Sequence, residues 1–235
     1  MKNYKKLNIL IILFPLFFAV SCDEYIELEN ENAISEENFY DSKENFIVGL
    51  NGCYNTLREP IAYEWMLTEI RSDNTFLNNY GSTNPQNLQI ISNDVFEAPS
   101  FDLFIQEYWA SSYKNIKNIN GLSRALKTTY NKSTGTIDFN TLNIDNPLPL
   151  TDIERKRISG EASFMRAYHY FNLVRTYGGV FLIDKIITPD EALLIPRSSE
   201  TDIYNFIIAD LKNATQNCAT TVSTATNGTG ASITK

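Results

Sequence analysis

Histidine and cysteine are scarce in this chain, and their scarcity excludes several kinds of active site. The 235 residues contain one histidine, His169, and three cysteines, none of them in a Cys-x-x-Cys pair. A histidine-based zinc site is therefore close to excluded. The sequence also has no Gly-x-Ser-x-Gly motif, and a single histidine offers little to a Ser-His-Asp triad. We expect no catalytic residues, no metal and no cofactor.

Basic residues are outnumbered. Lysine and arginine total 20 against 28 aspartates and glutamates, so the formal net charge is −8. Proteins that bind phosphate backbones need clustered Lys and Arg. Nucleic acid is therefore excluded as a partner class.

Apolar runs long enough to cross a membrane are also lacking. The longest, residues 7–20, is interrupted by Asn8 and contains Pro15, whereas a spanning helix needs roughly 20 apolar residues. Lys2, Lys5 and Lys6 precede this run, and acidic residues follow it. A short apolar run behind a positive segment is typical of a signal peptide. We assign residues 1–21 to it.

The end of the signal peptide predicts lipid attachment. Ala19-Val20-Ser21-Cys22 places small residues before a cysteine and resembles a lipoprotein cleavage site. Acylation of the Cys22 thiol and of its freed amine would give three chains, each contributing ~0.8 kcal/mol per buried methylene. An acidic leader follows over residues 22–34. The alternative, an ordinary secretory signal with an incidental cysteine, fits the cut-site residues less well.

Helical periodicity fills most of the remaining chain. Ser42 is a predicted N-cap, and Pro60 is predicted to end the helix that follows it. Residues 71–100 and 131–149 are polar and predict loops. Between them, residues 101–130 predict a long helix with the buried stripe Phe104, Tyr108, Ile116, Ile119, Leu122 and Leu126.

Two further helices follow. Thr151 and Glu154 form a capping box that opens a helix to Tyr177, where Gly178-Gly179 supplies a left-handed cap. The last helix begins near Ser199 and is predicted to bury Ile203, Ile207, Leu211 and Ala214. We assign residues 35–216 to one helical domain and residues 217–235 to a polar linker. Such an ending predicts that the polypeptide is incomplete at its C-terminus. The fold class is mostly α, with helix pairs and long polar loop insertions.

Four segments in order resemble the SusD/RagB family of outer-membrane nutrient-binding lipoproteins. They are residues 37–54, residues 108–120, the run from Gly160 to Val180, and residues 197–214. The resemblance covers the N-terminal portion of a family member. It implies tetratricopeptide-like helix pairs forming an α–α superhelix, in which Trp109-x3-Tyr113 and Ala162-x4-Ala167 supply the aromatic/small packing pattern. It also implies a SusC-like TonB-dependent transporter as partner.

Most of the prominent side chains in these segments are expected to stabilise the fold rather than to bind a ligand. Trp109, Tyr168 and Phe171 lie on helical stripes and are expected in the core. His169 is expected to be a packed helix residue. Arg166 and Arg175 are expected to pair with acids or carbonyls. Cys53 is expected to be a small core residue, and whether it pairs with Cys218 stays open.

One loop mixes the side chains that bind sugars. Aromatic rings stack on the apolar face of a sugar while Asn, Asp and Arg bond its hydroxyls. Outside the predicted helices this mixture occurs once, between residues 65 and 80. The candidate ligand-binding residues are Trp65, Arg71, Asp73, Asn74, Asn78 and Tyr80. The competing interpretation is a solvated connection with Trp65 packed in the core.

The predicted function is that of a surface-exposed outer-membrane lipoprotein. It binds glycans and delivers them to a partner TonB-dependent transporter. The alternatives are binding of peptides or other nutrients in the same kind of complex, or a helical-repeat scaffold that binds only protein. A surface glycoside hydrolase is disfavoured because the acids sit mainly in helix first turns, where capping explains them.

Replacing Cys22 tests the anchor. Cys22→Ala should leave an unprocessed precursor without a lipid anchor, because the acylated thiol is lost. Detergent phase partitioning measures this. If the variant is processed and still enters the detergent phase, the anchor lies elsewhere.

Overall fold

Helices dominate the chain. A computed structural model describes residues 39–77, 83–141 and 147–220. Within these ranges the elements in chain order are helices α1 (Lys43–Thr56), α2 (Arg58–Leu67), α3 (Pro85–Asp94) and α4 (Leu103–Ala125), strands β1 (Thr128–Asn131) and β2 (Thr136–Phe139), and helices α5 (Asp152–Tyr177), α6 (Pro189–Leu194) and α7 (Glu200–Asn217). The mostly α fold class is confirmed. The predicted signal peptide, Cys22, the acidic leader and most of the polar linker lie outside the described ranges.

Local capping chemistry sets several helix ends, as predicted. The Ser42 hydroxyl accepts from the backbone N–H of Asn45 at 3.4 Å and starts α1. Thr151 and Glu154 form the capping box of α5. Gly178 ends α5 with φ +70, a conformation that L side chains rarely adopt. Because these signals are local in sequence, they can be read without knowledge of the fold.

Pro60 does not have its predicted role. Helix α1 already ends at Thr56, and Pro60 is the third residue of α2. A proline is tolerated in a first turn because the N–H groups there have no partner within the helix. Pro60 therefore sits inside the start of the second helix instead of ending the first.

Two regular elements differ from the prediction. Helix α3 lies where polar composition predicted only a loop. Strand β1 takes up the end of the stretch 101–130 that was predicted as one helix, because α4 ends at Ala125. Helix α3 falls within residues 71–100, with Asn84 accepting from the N–H of Gln86 at 3.0 Å and Pro85 as its first residue. Strands β1 and β2 form an antiparallel hairpin in which Thr128 faces Phe139. The apolar residues of α3, which are Leu88, Ile90 and Ile91, lie in a stretch that is polar overall, and each strand of the hairpin is only four residues long.

Two clusters of buried side chains form the core. Both draw on α4 and α5, the first with α1 and the second with α7. The first contains Phe46, Leu50, Cys53, Ile119, Leu122, Leu126, Ile158, Ala162 and Met165. The second contains Ile116, Ala167, Tyr170, Leu173, Val174, Val180, Ile203, Phe206 and Ile207.

The predicted core positions are largely confirmed. Every residue of the predicted α4 stripe is buried, and so is Cys53. Trp109 and Tyr113 pack against the cluster that contains Ala167, which is the predicted aromatic/small arrangement. Two predictions are wrong: Leu211 is 39% exposed and Phe171 is 41% exposed. In the described part of the chain, Cys53 and Cys218 are both buried and not joined by a disulfide.

A buried ion pair joins α5 to α7. Arg166 donates from Nε to Oδ2 of Asp210 at 2.8 Å and from Nη2 to Oδ1 at 2.7 Å. Its Nη1 donates to Asn120 Oδ1 on α4 at 2.9 Å. The Phe206 ring lies 4.8 Å from the guanidinium carbon. The prediction that Arg166 pairs with an acid across the helices is confirmed.

None of the helices within residues 39–77, 83–141 and 147–220 is both long enough and apolar enough to cross a membrane.

Breaking the Arg166–Asp210 pair should cost much more than breaking an exposed one. Arg166→Met leaves a buried carboxylate unpaired, and such losses cost about 3–5 kcal/mol. Urea unfolding measures the change. Lys114→Met is the control, because Lys114 Nζ and Glu59 Oε2 lie 2.9 Å apart on the exposed surface, where solvent screens the pair and its loss should be far smaller. Equal losses in the two variants would contradict the prediction.

Candidate functional site

A cleft of about 320 Å³ opens between the C-terminal ends of α2 and α5. We call it the α2–α5 cleft. Its lining residues are Glu64, Leu67, Thr68 and Arg71 from α2 and the turn after it, Tyr108 from α4, and Asn172, Arg175 and Thr176 from α5. Helical spacing places Glu64 and Leu67 on one side of α2, and Asn172, Arg175 and Thr176 on one side of α5. Thr68 and Arg71 come from the turn after α2, so the cleft is built by two helix ends and a turn.

Two arginines in the cleft have no acidic partner. The guanidinium carbon of Arg71 lies 4.8 Å from the Phe96 ring centroid, and that of Arg175 lies 4.9 Å from the Phe171 centroid. Neither forms an ion pair with any described residue. The prediction that Arg175 pairs with an acid or carbonyl is therefore not met within the described ranges. Stacking orients each guanidinium and leaves its N–H donors available.

A buried amide also faces the cleft. Asn172 is 8% exposed, and its Nδ2 makes no hydrogen bond of acceptable geometry with any described atom. The Tyr168 hydroxyl is near enough for this amide to lower the pKa of the phenol slightly, although burial dominates and raises it. A buried donor without an acceptor typically costs about 1–3 kcal/mol. The amide is therefore available to an acceptor that enters the cleft.

Glu64 provides the one carboxylate among the residues that line this cleft. Its Oε2 accepts from the Tyr168 hydroxyl, which ties α2 to α5. Burial and this hydrogen bond raise the pKa of Tyr168, so the phenol remains a donor. The Thr68 hydroxyl donates to the Glu64 carbonyl oxygen at 2.8 Å. The cleft thus combines several donors with one fixed carboxylate.

His169 lies behind the cleft in the core. It is 1% exposed, and Asn115 Nδ2 lies 2.8 Å from its Nε2. Because Asn115 Oδ1 already accepts from the Thr56 hydroxyl, Nδ2 is the donor and Nε2 the acceptor. Burial lowers the pKa of His169 to about 4. The histidine is a neutral, packed helix residue, as predicted.

The predicted site residues are only partly brought together. Arg71 lines the α2–α5 cleft. Trp65 lies inside helix α2 rather than in the loop, and it is 45% exposed beside Glu64. Asp73 and Asn74 are exposed and are not among the lining residues. Asn78 and Tyr80 lie outside the described residues.

Sequence reasoning missed most of the cleft. The sequence analysis assigned a structural role to the helices that contain Tyr108, Asn172 and Arg175. It assigned Tyr168 to the core. One signal was present: Asn172, Arg175 and Thr176 put polar groups at helical spacing on a segment that is otherwise apolar. In the described ranges, no group of three or more His, Cys, Asp or Glu side chains could hold a metal ion.

Comparison with known proteins gives the family. A family model described as starch-binding and associating with the outer membrane matches residues 24–228. The chain belongs to this SusD-like family. The description of this family model is one of binding.

Relatives agree with this assignment. SusD-like protein P38 of Formosa agariphila is 27% identical over 222 residues, covering 92% of this chain and 38% of the relative. SusD-like protein P25 of the same organism is 22% identical over 88% of this chain and 37% of its own length. The chain thus spans less than two fifths of these relatives.

Solved structures share the fold. A laminarin-binding SusD-like protein has a TM-score of 0.62 at 20% identity, over 80% of this chain and 37% of its own. Surface glycan-binding protein A from Bacteroides fluxus has a TM-score of 0.59 at 17% identity, over 80% of this chain and 36% of its own. The predicted tetratricopeptide-like fold is confirmed.

The buried histidine predicts acid sensitivity. Its pKa is lowered from 6.5 to about 4, so the unfolded state binds the extra proton. The stabilisation is fully present above pH 6.5 and is lost as the pH falls toward 4, by ~3 kcal/mol at most. His169→Gln should therefore flatten the pH dependence of urea unfolding between pH 6.5 and 4. An unchanged slope in this range would show that His169 does not contribute.

Proposed function

We propose that this chain belongs to a surface-exposed outer-membrane lipoprotein that binds glycans. The observation that supports this most directly is the α2–α5 cleft, which offers free donors in a protein of a glycan-associated family. In this proposal Cys22 carries the lipid anchor and residues 22–34 connect it to the helical domain. The protein delivers its glycan to a TonB-dependent transporter of the SusC type.

The cleft suits the hydroxyl chemistry of sugars. Glycans present many donors and acceptors, and the arginines, Asn172 and Glu64 provide complementary groups. Trp65 follows Glu64 on α2 and exposes nearly half of its surface. Trp65 is not among the residues that line the cleft, and in this proposal its exposed indole provides a neighbouring surface on which the apolar face of a sugar ring can stack. Asp73 and Asn74 follow on the next turn and extend the candidate surface.

Two other ligands compete with glycans. A peptide or another nutrient could use the same donors, and a protein-only scaffold would need a broad helical face instead. The relatives whose names specify a ligand are described as binding laminarin or surface glycans. This favours glycans as the first ligand class to test.

Titration of the full-length protein with laminarin, starch and mixed peptides tests the ligand class. We expect binding of at least one polysaccharide, and Trp65→Ala should weaken it about fivefold through lost stacking, ~1 kcal/mol. Isothermal calorimetry measures both. Tyr204→Ala is the control because Tyr204 is similarly exposed but lies on α7. Binding of peptides alone, or hydrolysis of any glycan, would contradict the proposal.

The transporter is tested by co-purification. Confinement in one membrane raises the effective concentration of two partners, so modest contacts can hold them together. We expect the tagged full-length protein to recover a large outer-membrane barrel in mild detergent. Recovery of the lipoprotein alone, from membranes that contain the transporter, would exclude a stable complex.

A further inference from the structure

The two arginines of the α2–α5 cleft form no ion pair with residues 39–77, 83–141 or 147–220. Elsewhere in the described chain, Arg155 donates to backbone carbonyls, Arg157 to Glu161 and Arg166 to Asp210. Arg71 and Arg175 instead stack on Phe96 and Phe171. With Glu64 as the single acid, the lining keeps an excess of one positive charge. This excess occurs in a chain whose overall charge is −8.

Another cleft of comparable size shows a different arrangement. It measures about 290 Å³ and its charged lining residues are Lys132, Asp184 and Asp202. Lys132 pairs with Asp202 at 3.1 Å. The only cation there is already neutralised by its neighbour. Uncompensated positive charge thus distinguishes the α2–α5 cleft from this second one. A third cleft of about 320 Å³ is also lined by cations, Lys156 and Lys212, and by no acid. Among these three clefts, the unsatisfied buried amide of Asn172 belongs to the α2–α5 cleft.

The buried polar side chains of α5 give a second argument for a binding site in the α2–α5 cleft. Arg155, Glu161, Arg166 and His169 each form hydrogen bonds to protein groups. Asn172 is the next large one along the helix, and its Nδ2 has no satisfactory acceptor among the described residues. Tyr108 borders the same space. Of the two buried side-chain donors that have no acceptor in the described ranges, Asn172 Nδ2 faces this cleft, whereas Ser112 Oγ lies elsewhere on α4.

We propose that the α2–α5 cleft binds a singly charged oxyanion carried on a sugar, namely a uronate carboxylate or a sulfate ester. The inference rests on the proposed glycan binding and names its substrate class. Arg71 and Arg175 contact the anion, since a planar guanidinium matches an oxyanion with two parallel N–H groups. Asn172 Nδ2 supplies a third donor. Glu64 accepts from a sugar hydroxyl and disfavours a second negative charge.

Pairs of oligosaccharides that differ only in charge test whether the protein prefers an anionic sugar. The probes are oligogalacturonate and oligomannuronate, each against its methyl ester, and a sulfated galactan oligosaccharide against its desulfated form. Calorimetry with the full-length protein should show at least one charged form bound about tenfold more tightly than its neutral partner. The preference should fall as NaCl rises, because salt screens charges in an open cleft. Whether the carboxylate or the sulfate pair shows it identifies the anion.

Single substitutions in the α2–α5 cleft test whether the anion binds there. Arg175→Gln and Arg71→Gln should each weaken binding of the charged form about tenfold more than they weaken binding of its neutral partner, so that the preference for the charged form is lost. Asn172→Asp should do the same by replacing a donor with an acceptor. Arg58→Gln is the control, because Arg58 is exposed on α2 outside the cleft. Melting temperatures separate loss of binding from loss of folding.

The outcomes separate this inference from the proposed function. If charged and neutral forms bind equally, or if only laminarin or starch binds, glycan binding stands and the charge preference is overturned. If the preference persists in Arg71→Gln and Arg175→Gln, the anion binds elsewhere and the assigned site is wrong. If no glycan of either kind binds, both proposals fail.

Discussion

The Arg166–Asp210 pair constrains the positions of three helices. Burying two charges is costly unless their hydrogen bonds are satisfied, and here Asn120 completes the set from α4. Asn120 also donates to the Ile183 carbonyl at 2.8 Å, which holds the segment after α5 against the core. A shift of α4, α5 or α7 would leave a buried charge without its hydrogen-bonding partners. The register of α5 is thereby fixed, and the cleft at its C-terminal end is fixed with it.

The first turns and the middle of helix α5 stabilise the fold, whereas its last turns carry residues of the proposed binding site. Its first turns hold Arg155, whose guanidinium bonds the carbonyls of Leu126, Lys127 and Asn140 and so closes the end of α4 and the hairpin. Its middle carries the ion pair and the neutral His169. Its last turns carry Asn172, whose amide has no acceptor among the described residues, and Arg175, which forms no ion pair with them. In the proposed function, the rigid supporting turns would keep these groups in place before a ligand arrives, which reduces the ordering cost of binding.

Much of the fold could be predicted because its determinants are local. The caps at Ser42 and Thr151 and the glycine after Tyr177 set the ends of helices within a few residues of sequence. The stripe from Phe104 to Leu126 repeats at helical spacing and is buried throughout. Helix α3 was missed although Asn84 and Pro85 are a local start signal, because the stretch around it is polar overall, and the hairpin was missed because each of its strands is only four residues long. Leu211 failed because periodicity shows where a stripe runs but not how far the neighbouring helix covers it.

The cleft could not be predicted because it depends on which distant residues meet. Arg71 was found since it lies in a polar stretch, whereas Asn172 and Arg175 were hidden in a helix whose other residues form the core. Their importance comes from what is missing around them in space: an acceptor for the amide and acids for the guanidinium groups. A sequence records which groups are present, but their satisfaction depends on contacts between residues about 100 positions apart, such as Glu64 with Tyr168. In this fold a candidate site is therefore best sought among the polar groups left over after every helix-to-helix hydrogen bond has been assigned.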